Sequence, residues 1–114
     1  MADPLLKNIP FEKVLELTSL VSYQEGQIVS RTLAQNKAVS VTLFAFDAGE
    51  EISTHASHGD AMVSVLDGTA QVTIGGNVHT VRAGQSIVMP AGVPHSVEAP
   101  EKFKMMLVVV FPAS

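Results

Sequence analysis

Beyond residue 38 the chain alternates between short β-rich runs and breakers built on glycine or proline, and this rhythm limits its fold more than any other feature. The breakers are Asp47-Ala48-Gly49, Asp67-Gly68, Gly75-Gly76-Asn77, Ala83-Gly84 and Pro90-Ala91-Gly92-Val93-Pro94. Before the first of them, Val39, Val41, Leu43 and Ala45 alternate with Ser40, Thr42, Phe44 and Phe46, the period of a strand. Further strand-like runs are Ala61 to Leu66, Ala70 to Ile74, His79 to Arg82, Ser86 to Met89, His95 to Glu98 and Met105 to Phe111. Gly75-Gly76-Asn77 supplies the positive φ of a tight hairpin. Short strands joined by glycine-rich turns, with no helix between them, predict an antiparallel sandwich or barrel. Ahead of this region, Phe11, Val14, Leu15, Leu17, Leu20 and Val21 recur mostly at spacings of three and four behind Pro10, which predicts a short amphipathic N-terminal helix.

The 114 residues allow one domain with its own core. We expect a single domain over 1–114, with an N-terminal helical extension over 1–24 and a barrel core over 38–111. The hydrophobic share of 46% against 16% charged residues is that of a packed globule. A net charge of -4 gives no basic footprint for nucleic acid or an anionic membrane. Without cysteine there is no disulfide, thiolate metal site or cysteine nucleophile, so any metal must be held by nitrogen and oxygen. The longest apolar run, Met105 to Phe111, is far short of the roughly 20 residues that cross a bilayer. A soluble, cytoplasmic protein is the expectation. No nucleophile elbow or phosphate-binding glycine loop is present.

Two motifs follow one another. In "GQSIVMPAGVPH", Gly84 turns the chain into a strand, Pro90 and Gly92 make the turn out of it, and His95 opens the next strand. Upstream, Gly49 is followed after five residues by His55, and Gly68 closes the segment after "VSVLDG". In this order and spacing the chain resembles the cupins. The resemblance covers roughly residues 38 to 111. It implies an all-β fold, the cupin double-stranded β-helix, a jelly-roll-like antiparallel barrel, here with a short N-terminal helix.

The same resemblance implies a divalent first-row metal such as Zn, Ni, Fe, Mn or Cu, held by three imidazoles and a carboxylate. His55 and His95 match two imidazole positions. The second-histidine position holds Ser57, with His58 one residue later, and the glutamate position holds Ala61 beside Asp60. Alternation along a strand turns residue 58 away from 55, so His58 joins the set only if the chain leaves strand geometry, which Gly59 permits. His55, His58 and His95 are the expected metal residues. Gln71, Met62 and Met89 are candidates for contact with a small molecule, and Met105 and Met106 share the adaptable character of methionine. His79, beside the hairpin, reads as an exposed strand residue.

Two functional readings follow. One is a metal-dependent cupin, a dioxygenase-like oxidoreductase or an isomerase acting on a small organic molecule. The other is a non-catalytic small-molecule-binding barrel with a degenerate metal site, which the missing glutamate favours. The catalytic residues are left open. The partners expected are a small-molecule ligand or substrate and, from the resemblance, a second copy in a homodimer.

Overall fold

The computed structural model describes residues 4–113; the first three residues of the expected 1–24 extension, and residue 114, lie outside them. Among the described residues, nine strands form two antiparallel sheets. They are β1 (Ile28–Gln35), β2 (Val39–Phe46), β3 (Glu51–His55), β4 (Asp60–Asp67), β5 (Thr69–Ile74), β6 (Asn77–Arg82), β7 (Ser86–Met89), β8 (His95–Glu98) and β9 (Phe103–Val110). One sheet runs β1-β2-β9-β4-β7 and the other β3-β8-β5-β6. The strands legible in the sequence are all present, with β1 and β3 in addition.

Alternation decides what lies between the sheets. Phe46 and Phe44 from β2, Ala61, Val63 and Val65 from β4, Ala70 and Val72 from β5, and Phe103 and Met105 from β9 pack into one interior cluster. The odd-numbered residues of β9 face inward, so Phe103, Met105, Leu107 and Val109 form a continuous apolar rib along the barrel. Chain order Phe46↔Phe103 fixes the register of β2 on β9, and the two rings stack with centroids 4.4 Å apart.

The opposite face of the five-stranded sheet carries a second cluster, Val21, Leu33, Leu43 and Ala45, against which Ile9, Leu17, Leu20 and Tyr23 pack. This replaces the helix expected over Phe11 to Val21: only Leu17–Leu20 turns, as a single 3-10 turn. Glu12 has φ 58° and so cannot continue a right-handed helix, while Phe11 and Val14 are exposed. An isolated helix of that length is marginal in water, and the segment instead lies along the sheet. The Lys104 Nζ donates to the Thr18 carbonyl at 2.7 Å, and the Tyr23 hydroxyl donates to Asp67.

Candidate functional site

β3 and β8 are neighbours, and their register sets His55 directly opposite His95. His55 ends its strand and His95 begins its own, so both imidazoles stand at one end of the barrel. They meet edge to face, with ring centroids 4.5 Å apart and planes at 72°. Each ring is held by its own chain. His55 Nδ1 lies 2.9 Å from the Ser53 carbonyl oxygen and His95 Nδ1 lies 3.2 Å from that of Val93. A carbonyl only accepts, so in each neutral ring Nδ1 carries the proton and Nε2 is left as a bare acceptor.

Both rings border a cavity of about 400 Å³ between the sheets, within the range of small-molecule sites. Its wall is otherwise mostly apolar, with Ile52, Ala61, Met89 and Val97 joined by the β9 rib from Met105 to Val109 and by Phe111. Among the described residues, no Lys, Arg, Asp or Glu lines it. His95 is 3% exposed, and among those residues no buried side-chain nitrogen or oxygen lacks a partner. Its Nε2 is therefore not sealed in protein but opens on the cavity.

Burial, and secondarily the neighbouring His55, hold the His95 imidazole below the ordinary histidine pKa, against a smaller opposing effect of the Val93 carbonyl. The unfolded chain therefore takes up this proton at a higher pH than the folded one, near 6.5. Folding stability is expected to fall as the pH drops below that value. Melting curves between pH 8 and pH 5 should show a steeper loss for the wild type than for His95→Gln; parallel losses would refute the assignment.

The chain leaves strand geometry directly after His55, and the loop over residues 56–59, which ends on the glycine, leads into β4. His58 does not use that freedom to join the pair. It borders the cavity from the rim, exposed, with its ring stacked on Phe111 at 5.0 Å. Gly59 is demanded by space: a Cβ there would lie 2.6 Å from the Val110 carbonyl oxygen and 2.9 Å from the Val109 side chain. The Ser57 carbonyl accepts from Gly92 N at 2.8 Å and the Asp60 carboxylate from Ala91 N at 2.9 Å, so these residues tie the two motif loops together. Ala61, in the position of the glutamate, is a buried part of the cavity wall.

A resident metal of the kind implied by the resemblance needs three or four donors aimed at one point. Among the described residues, no group of three or more His, Cys, Asp or Glu is gathered that could hold an ion. As placed, the two facing imidazoles fall short of that donor set.

Of the candidates for small-molecule contact, Met89 lines the cavity. Met62 and Gln71 do not. Met62 lies between the inward Ala61 and Val63 on β4 and is 38% exposed on the outer face. Gln71 lies between the inward Ala70 and Val72 on β5. The two-residue period of a strand turns both away. Met105 belongs to the cavity wall, whereas Met106 packs in the outer cluster. Phe111, the aromatic at the mouth, was not singled out from the sequence, although it continues the inward rib of β9 by parity.

No functionally curated protein matches the sequence. A conserved protein of unknown function from Streptococcus pyogenes is similar over the whole of both chains, at 46% identity and a TM-score of 0.97. A cupin superfamily protein from Desulfitobacterium hafniense is 32% identical, with 94% of this chain and 98% of that one covered and a TM-score of 0.90. The salicylate 1,2-dioxygenase of Pseudoaminobacter salicylatoxidans, seen in complex with gentisate, shares the fold at 19% identity and a TM-score of 0.67, over 73% of this chain and 25% of that one. The cupin domain model matches residues 42–111, which span both motifs, the histidine pair and most of the barrel, and the chain belongs to the cupin family.

Proposed function

We propose that this cupin binds a small organic molecule inside the barrel, oriented by His55 and His95, without a resident metal. The observation that carries the reading is the pair of imidazoles with both Nδ1 atoms engaged by backbone carbonyls, bordering an apolar cavity of about 400 Å³. The cavity wall excludes water and supplies contact area, while the two bare Nε2 atoms fix orientation by accepting hydrogen bonds. Ala61 at the carboxylate position and the stacking of His58 on Phe111 support binding over metal chemistry.

Small aromatic and aliphatic probes are expected to shift the methyl resonances of Met89, Met105 and Leu107 in NMR titrations of the full chain, leaving the outward Met62 unmoved. Probes that perturb only the surface would refute the reading. Elemental analysis of the wild type, His55→Ala and His95→Ala after incubation with excess divalent ions distinguishes the metal-dependent alternative. Stoichiometric metal lost in both variants would replace the binding reading by a metal centre, with His58 turned inward as the third imidazole.

A further inference from the structure

The chemistry of the cavity wall narrows the ligand class, an inference that rests on the binding reading above. A carboxylate, sulfonate or phosphate needs cationic or N–H donor partners when it leaves water. At the histidine pair the wall supplies none: among the described residues no Lys or Arg borders the cavity, the proton of each facing imidazole is already donated to a backbone carbonyl, and the other side-chain donors of the lining, Ser57 and His58, belong to the loop between β3 and β4. Between the histidine pair and the β9 rib an anion would meet two nitrogen lone pairs and aliphatic side chains. A purely apolar molecule would leave both lone pairs without a donor. We propose that the cavity takes an uncharged organic molecule with an apolar ring or chain and a hydroxyl or N–H group that donates to His55 or His95 Nε2, and that it rejects organic anions of the same shape.

The geometry also gives the orientation. The imidazoles stand side by side on β3 and β8, while the apolar rib of Met105, Leu107 and Val109 comes from β9 in the other sheet. The donor group lies toward the histidine pair and the apolar body toward β9. The Met89 side chain, also in the wall, lets the cavity adapt to the outline of that body.

Three probes of similar shape test this at pH 8: 2-naphthol, 2-methylnaphthalene and 2-naphthoate, titrated into the full chain by calorimetry or methyl NMR. We expect 2-naphthol to bind about tenfold more tightly than 2-methylnaphthalene, the worth of one net hydrogen bond, and 2-naphthoate to bind more weakly than either. In His95→Phe and, separately, in His55→Phe, circular dichroism reports the fold. The preference for naphthol over methylnaphthalene should shrink in at least one of them while methylnaphthalene still binds. Equal affinity of naphthol and methylnaphthalene in the wild type, or tighter binding of naphthoate, would overturn the ligand class and leave the binding reading standing. Failure of all three to perturb the cavity would overturn both.

Discussion

Replacing Gly68 by alanine is expected to remove about 2–5 kcal/mol of folding stability and to lower the melting temperature by roughly 8–25 °C. Gly68 is the single residue between β4 and β5, where the chain crosses from the five-stranded to the four-stranded sheet. Two effects act there. Its φ of 73° lies in the left-handed region, which costs a residue with a Cβ about 1–2 kcal/mol. The added Cβ would also press on the Lys102 carbonyl oxygen and stand 3.0 Å from Phe103 Cα. Both obstacles are backbone, so β9 itself must shift, at a cost on the order of 1–3 kcal/mol. Gly84 separates the two effects. Its φ is 88°, but a Cβ there meets nothing within 4 Å, so Gly84→Ala should lose only the conformational share, about 1–2 kcal/mol. Equal losses in the two variants, measured by chemical denaturation, would show that the approach of β9 carries no weight.

Gly68 was legible in the sequence because one half of its requirement, the positive φ of the turn, is local. The same holds for the motif turns: Gly84, Pro90 and Gly92 placed His95 at the start of a strand, the spacing from Gly49 singled out His55, and the register of β3 on β8 then brings the two together. What was not legible depends on distant partners. β1 escaped because Ser30, Arg31 and Gln35 dilute its apolar pattern and a register shift between Thr32 and Ala34 breaks the alternation. The apolar spacing from Phe11 to Val21 suggested a helix, whereas Leu17, Leu20 and Val21 serve to cover the outer side of β2. Within the site, the run Ala61-Met62-Val63 is apolar throughout, so sequence alone does not say which face of β4 is inward. That choice is made by β7 and β9 on either side, and it sends Met62 out and Ala61 into the cavity wall. The position of His58 is set by Phe111, more than fifty residues away in the chain.

Truncating Phe103 to alanine is expected to cost about 3–5 kcal/mol, a large share of the roughly 5–15 kcal/mol that holds a domain folded. Phe103 is fully buried and stacks on Phe46, which is equally buried, so the variant leaves a void beside an aromatic ring that has lost its partner. The variant also tests how the barrel divides its labour. Along β9 the inward side chains run Phe103, Met105, Leu107 and Val109, with Phe111 beyond; all but Phe103 line the cavity. Phe103 and Phe46 fill one end, and His55, His95 and Phe111 stand at the other. With about 3.3 Å per residue along a strand, Phe103 lies about 7 Å from Met105, where the cavity wall begins, but about 20 Å from Val109 at the histidine end, far enough for effects on the two ends to be independent. Phe103→Ala should therefore denature at lower temperature yet bind 2-naphthol, below its own transition, within about twofold of the wild type. An affinity that fell in step with stability would mean that the filled end and the cavity behave as one body, with the aromatic stack holding the histidine pair in place.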